Sequence, residues 1–167
     1  MRLTDQDLRW LSGNLGKMDM LRDLSEAELA KLAKSIDKIG MASGDYILKQ
    51  GERAAAFFVI RSGTVSVWAE TPESSERLTV LKEGDSFGEV SILTGQACNA
   101  GAVADQDCVL FSVPPKSLRE VVKANPTLAE KMSRAVAERR GARALGIDIA
   151  AAEPAGLLGR VRGFFGV

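Results

Sequence analysis

The sequence predicts an α+β fold: an antiparallel, jelly-roll-like β-roll of about eight short strands, flanked by N-terminal helices and two C-terminal helices. Three observations support this prediction. From Gly40 onward, short runs rich in β-branched and aromatic residues alternate with glycine turns. These runs stand too close together for crossover helices, which excludes a parallel sheet. Apolar residues on both sides of this region recur at helical spacing instead.

Residues 1–39 are expected to form the N-terminal helices. Thr4 with Asp7, and Ser25 with Glu28, have the spacing of capping boxes, in which a hydroxyl and a carboxyl group satisfy the first free amides of a helix. Each box precedes an apolar stripe, formed by Leu8, Leu11 and Leu15 in the first helix and by Leu29, Leu32 and Ile36 in the second.

Residues 40–113 are expected to form the β-roll, whose strands lie in the runs DYILKQG, AAFFVIRSG, TVSVWAE, RLTVLKEG and AGAVADQDCVLFSV. Apolar side chains in strands this short usually form the core. We therefore predict that Phe57, Phe58, Trp68 and Cys108 are buried. The alternative for the three aromatic residues is stacking on the base of a ligand.

Residues 114–146 are expected to form the C-terminal helices, and residues 147–167 a linker and an amphipathic tail. Pro114 and Pro115 end the roll, Ser117 begins one helix, and Asn125 caps the next. The second helix carries an apolar stripe of Leu128, Met132 and Val136. The stripe allows two roles: a switch between lid and dimer seam, or static packing on the roll.

Composition excludes several classes of function. The chain has no histidine and only two cysteines, which form no CxxC pair, so we expect neither an enzyme nor a metal site. Residues 114–167 hold 10 basic and 5 acidic side chains, but at helical spacing, which is typical of a solvated helix face rather than a nucleic-acid interface. With no apolar run long enough to cross a bilayer and no signal segment, we expect a cytoplasmic location, or the cytoplasmic side of a membrane protein.

The loop at residues 86–101 has the character of an anion site. Gly88 precedes the short run EVSILTG, which favours a helical turn whose free backbone N–H groups attract a negative charge. Glu89 places a carboxylate beside this site, where it can either accept a hydrogen bond from a sugar hydroxyl or cap the turn.

These residues also carry a family resemblance. The run ILKQGERAAAFFVIRSGTVSV, followed by GDSFGEVSIL, is similar to the cyclic-nucleotide-binding domain family, which includes catabolite activator protein and the protein kinase A regulatory subunit. The resemblance extends over about residues 18–145. It implies that Gly88, Glu89, Val90 and Ser91 line a ligand pocket, with Glu89 on the ribose 2′-hydroxyl.

The sequence departs from this family where the phosphate should be held. Members that bind cyclic nucleotides usually continue Pro-Arg-Ala-Ala or Pro-Arg-Ser-Ala, whereas this chain has Ala97, Cys98, Asn99 and Ala100. Losing one partner of a buried charge pair costs about 2 to 5 kcal/mol, or roughly 30-fold to a few thousand-fold in affinity. We therefore expect cAMP or cGMP to bind weakly or not at all, with Asn99 either blocking the phosphate oxygens or donating to them.

The sequence of this loop allows two further hypotheses. Arg53, Arg77 or Lys82, or the arginines at 139, 140 and 143, can replace the missing charge, although each is typical of a solvated surface. Cys98 can also be a redox switch if the turn lowers the pKa of its thiol.

The resemblance implies a regulatory, sensory domain that couples ligand in the roll to movement of the C-terminal helices. The alternative is a degenerate, ligand-independent module for interaction or oligomerisation. In either case we expect a homo-oligomer or an attached effector, with no nucleic acid and no transmembrane segment in this chain. The tail LLGRVRGFFGV resembles, over a short stretch, the C-terminus of bacterial mechanosensitive-type channels that carry this domain, which implies ion channel regulation.

Overall fold

The computed structural model describes residues 1–17, 21–22, 24–88, 91–92, 95–128 and 130. Its N-terminal helices are α1 (Asp5–Leu15) and α2 (Glu26–Ala33), and both predicted capping boxes are present. Helix α3 (Pro115–Ala124) follows the roll. It begins two residues before Ser117, because Pro115 occupies the first helical position, where a missing N–H is not needed.

The part of the chain so described contains eight strands in two antiparallel four-stranded sheets, which confirms the predicted α+β roll. The strands are β1 (Asp37–Met41), β2 (Tyr46–Leu48), β3 (Phe57–Ser62), β4 (Val65–Glu70), β5 (Ser75–Leu81), β6 (Ser86–Phe87), β7 (Gly101–Ala104) and β8 (Cys108–Val113). The first sheet has the order β1-β8-β3-β6 and the second the order β2-β7-β4-β5.

The roll begins earlier than predicted. Strand β1 starts at Asp37, inside the range 1–39 assigned to the helices. Its sequence DKIGM contains only two half-buried apolar residues, so its composition gives a weak strand signal. Pairing with the whole length of β8, from Asp37↔Ser112 to Met41↔Cys108, holds it in the sheet.

The core lies between the two sheets and beneath the helices. Phe57, Ile60, Leu110 and Phe111 are fully buried, and Phe58 and Cys108 are also buried, as predicted. The N-terminal helices and the segment between them add a group of buried leucines: Leu11, Leu15, Leu21 and Leu32.

Trp68 is the exception, and its predicted place in the core is wrong. It is only partly buried and lines a groove of about 580 Å³ on the outer face of the second sheet. Alternation along β4 explains this, because Val65 and Val67 point into the roll and Trp68 points the other way. The other residues that line this groove are Tyr46, Lys49, Gln50, Glu70, Ser75, Gly101 and Val103.

The predicted second C-terminal helix is described only at its start. Residues 126–128 are helical, and Leu128 is buried. Met132, Val136, the linker and the tail lie outside the described residues. No helix in the described part of the chain is long and apolar enough to cross a membrane.

Candidate functional site

Gly88 begins the predicted ligand loop directly after β6. Its φ of +86° lies in the left-handed region, and a Cβ atom at this position would lie 2.9 Å from the carbonyl oxygen of Ala56. Both backbone conformation and packing therefore require glycine. The amide of Ile92 then donates to the Gly88 carbonyl at 3.3 Å, and that of Gly95 to the Ser91 carbonyl at 2.8 Å. This spacing is that of a helical turn.

Ser91 joins this turn to the rest of the roll. Its hydroxyl is buried, accepts a hydrogen bond from the amide of Ala54 at 2.9 Å and donates one to the carbonyl of Gln96 at 2.6 Å. Within the described structure, the hydroxyl thus has both a donor and an acceptor, and it links the loop to the backbone of Ala54.

A second contact fixes the position of Cys98. We call residues 51–54 the strap. The amide of Cys98 donates to the Glu52 carbonyl at 2.8 Å, and the amide of Gly51 donates to the Cys98 carbonyl at 2.9 Å. This short antiparallel pairing sets Cys98 where the loop, the strap and the start of β7 meet.

The Cys98 thiol is half-buried, packs against the core, and lies beside the Ser91 hydroxyl and the Ala54 amide. Burial raises the pKa of the thiol, and the Glu52 carboxylate raises it further; the nearby polar groups of Ser91 and Ala54 only partly offset this rise. A redox switch requires a lowered pKa. The raised pKa therefore does not favour a redox role for Cys98.

The three candidate cations that the structure describes lie at exposed positions. Arg53, Arg77 and Lys82 are exposed among the described residues, and Arg77 pairs with Trp68 at the outer sheet. The arginines at 139, 140 and 143 lie outside those residues. Glu52 contributes a negative charge that raises the pKa of the Cys98 thiol.

The structure therefore brings together part of the predicted site. Gly88, Ser91 and Cys98 belong to one closed loop, exposed Asn99 and half-buried Ala100 continue it towards β7, and Glu89 and Val90 lie outside the described residues. Glu52 and Ala54 of the strap were not predicted as part of the site. Gly51, whose φ is +84°, was the available signal that the chain turns back at this point.

The described arrangement is a β-roll with a glycine-initiated loop across it and helices at both ends. Residues 40–125 match the family model described as the cyclic nucleotide-binding domain. The chain belongs to that family, and it is thus a regulatory type of cyclic nucleotide-binding domain.

Similar proteins support this assignment. The chain is 37% identical over 92 residues to the cGMP-dependent protein kinase egl-4 of Caenorhabditis elegans, a match that covers 54% of this chain but only 12% of the kinase. The sensor domain of the transcriptional regulator DNR from Pseudomonas aeruginosa is 27% identical, with a TM-score of 0.70 over 86% of this chain and 97% of that one.

A second similar structure shows the shared fold. The regulatory subunit of a cAMP-independent protein kinase A from Trypanosoma cruzi, bound to guanosine, is 20% identical, with a TM-score of 0.66 over 78% of this chain and 44% of that one.

Proposed function

We propose that this chain is a sensory module in which a ligand held by the roll changes the packing of the C-terminal helices, and that cAMP and cGMP bind it weakly. The position of Cys98 supports the proposed weak binding of cAMP and cGMP. It occupies the point where loop and strap meet, with an uncharged thiol in place of an arginine. The loop thus carries no charged side chain at position 98 to neutralise a cyclic phosphate.

Similar proteins support a ligand-binding role without fixing the ligand. The egl-4 kinase is named for its dependence on cGMP, and the Trypanosoma cruzi regulatory subunit holds guanosine. Guanosine carries no phosphate. The fold therefore accepts either kind of ligand, and the side chains of the loop decide between them.

Contacts between helices support the coupling. The Asn125 side chain, at the end of α3, donates to the Glu28 carboxylate of α2 at 2.6 Å. Leu128, one turn later, is buried. The start of the second C-terminal helix is thus anchored on the N-terminal helices, so a ligand that favours a different arrangement of this junction would shift the helix that follows.

Thermal unfolding tests this proposal. The wild-type chain and the double variant Cys98→Arg with Asn99→Ala would be unfolded with and without millimolar cAMP or cGMP. A ligand at 100 times its dissociation constant adds about 2.7 kcal/mol to stability. We expect the double variant to be stabilised by several degrees and the wild type to shift little.

Ala97→Arg is the matched control, because it adds the same charge one residue earlier at an exposed position. It should not reproduce the effect of the double variant. A large shift of the wild type with cAMP would contradict the proposed weak binding. No shift of the double variant with any nucleotide would contradict a working cradle.

One observation favours a second function, as a module for interaction or oligomerisation. On the second sheet, Tyr46, Leu78 and Val80 are 56%, 43% and 46% exposed, although the residues are apolar or aromatic. Light scattering after gel filtration of wild type and Val80→Lys would test it. A wild-type dimer that Val80→Lys dissociates would support this function, whereas equal monomeric masses would contradict it. Attachment of this chain to an effector stays a proposal. None of the relatives named above is a channel.

A further inference from the structure

We infer that the outer face of the second sheet binds a second copy of this chain, related to the first by a two-fold axis that runs along β7. The inference rests on the second function proposed above, interaction or oligomerisation, and names both the partner and the contacts. Three features of the described residues carry it: an apolar row across the sheet, two opposite charges at one end of that face, and a glycine at its centre.

The first feature is the row of side chains that crosses the outer face. Backbone pairing places Tyr46 beside Val103, Val103 beside Ser66, and Ser66 beside Val80, so the row spans all four strands. Tyr46 and Val80, at its two ends, are 56% and 46% exposed. The solvent face of an antiparallel sheet is normally polar. An apolar row at this place is therefore typical of a surface that another chain covers.

The described helices do not cover this row. Every residue that lines the groove on this face lies in a strand of the second sheet or within two residues of one. The first sheet differs, because Trp10 of α1 packs on Phe111 of β8 with ring centroids 5.6 Å apart, and Asp7 of α1 pairs with Lys38 of β1. The outer face of the second sheet thus stays accessible to a second copy.

The second feature is the position of two opposite charges at one end of the groove. The Gln50 side chain donates to the Glu70 carbonyl at 2.8 Å and accepts from the Glu70 amide at 2.7 Å. This pairing holds the end of β2 beside the end of β4, so the exposed side chains of Lys49 and Glu70 lie at the same end of the face. Neither of them forms an ion pair with another residue of the described part of the chain.

A two-fold axis along β7 brings these charges together. Because the strand order is β2-β7-β4-β5, the rotation places β7 on β7 of the second copy and β2 on its β4. Lys49 of each copy then faces Glu70 of the other, and Tyr46 of each copy lies above Ser66 of the other. An interface between identical chains requires a patch that complements itself in this way. A patch with charges of one sign would repel its copy.

The third feature is Gly101, which lies on this axis at the start of β7. It pairs with Trp68 on β4 and lines the outer groove, so no side chain at the centre of the face holds two copies apart. The chain as a whole has a formal net charge of 0, so long-range repulsion between copies is also small.

The size of the face predicts a weak dimer. Four strands about 4.8 Å apart and about six residues long present roughly 20 Å by 20 Å. This is about half of the ~800 Å² that each partner contributes to a standard interface. We therefore expect a dissociation constant on the order of 10 μM.

Analytical ultracentrifugation of the full chain from about 1 to about 100 μM tests the inference, since this range brackets the expected dissociation constant. Lys49→Glu and Glu70→Lys each place like charges opposite each other in the homodimer. We expect each variant to dimerise at least tenfold more weakly than wild type, with a larger loss at low salt. Mixed in equal amounts, the two variants should dimerise as tightly as wild type, because every facing pair again has opposite signs.

Two further measurements control for effects of charge alone. The variant that carries both Lys49→Glu and Glu70→Lys should dimerise like wild type, because the facing charges are exchanged and not removed. Lys116→Glu and Glu120→Lys, at exposed positions on α3, are the matched controls and should leave dimerisation unchanged, alone or mixed.

The outcomes separate this inference from the second proposed function. A wild-type dimer that neither reversal weakens overturns the inference and leaves association through another surface. Weakening that the mixture does not rescue also overturns it, because Lys49 would then not face Glu70. A wild type that stays monomeric throughout the concentration range overturns the inference and the second function together.

Discussion

The ammonium group of Lys38 lies 2.8 Å from the Asp7 Oδ2 atom and so joins β1 to α1. Thr4 donates to the same oxygen through its amide and its hydroxyl, at 2.9 and 2.8 Å. Burial alone would raise the pKa of this carboxyl, but the hydrogen bonds from Lys38 and Thr4 outweigh it and lower the pKa from 3.8 to about 2. The ionised carboxylate therefore stabilises the folded state.

We expect Asp7→Asn to lower the free energy of unfolding by about 1 to 2 kcal/mol near neutral pH. Because the folded pKa lies below the unfolded one, this contribution is complete above about pH 4 and is lost as the pH falls towards 2. Urea unfolding at several pH values should show the two chains converging in acid. Asp5→Asn, on the exposed side of the same helical turn, is the control. A gap between wild type and Asp7→Asn that stays constant down to pH 2 would contradict this assignment.

Gly88→Ala should destabilise the fold more than Gly44→Ala does. Both glycines have nearly the same φ, +86° and +89°, but a Cβ atom at Gly44 would meet no atom within 4 Å. Alanine at Gly44 lowers the free energy of unfolding by about 1 to 2 kcal/mol, because it must adopt a left-handed conformation. Alanine at Gly88 has the same penalty and also clashes with the Ala56 carbonyl. Urea unfolding of both variants separates these contributions. Equal losses of unfolding free energy in the two variants would contradict the predicted clash at Gly88.

Ser91→Ala should open the loop. The change removes the hydroxyl that accepts from the buried Ala54 amide, at a cost of about 1 to 3 kcal/mol in the free energy of unfolding. Hydrogen exchange at the Ala54 amide should become faster than in wild type, while amides in β8 should be unaffected. Ser12→Ala, at an exposed position on α1, is the control for loss of a hydroxyl. An unchanged exchange rate at the Ala54 amide would mean that the strap stays joined to the loop without the Ser91 hydroxyl.

Cys98 should react slowly with iodoacetamide. Burial and the Glu52 carboxylate raise the pKa of its thiol, so little thiolate is present near pH 7, and the rate should continue to increase above pH 9. Buried Cys108, whose thiol donates to the Thr64 carbonyl at 3.2 Å, should react more slowly still. Mass spectrometry of the two labelled peptides measures both rates. A Cys98 rate that is already maximal at pH 7 would contradict the raised pKa.

Local sequence was sufficient to predict much of this fold. Both capping boxes lie within four residues of chain, and their hydroxyl and carboxyl groups meet whatever else folds around them. Glycines at positions 44, 51, 63, 84, 88 and 95 all have positive φ, as turn positions require. Such features depend only on the identity and order of neighbouring residues, which the sequence states directly.

The tertiary structure decided what depends on contacts between distant residues. Trp68 looks like a core residue in its own strand, and only the pairing of β4 with its neighbours places it on the outer face. The start of β1 likewise depends on β8, some seventy residues later. The sequence shows that Cys98 replaces an arginine. Only the fold brings Glu52 and Ala54 to that thiol, because the strap and the loop are distant in the chain. They meet through backbone hydrogen bonds, which a pattern of side chains does not predict.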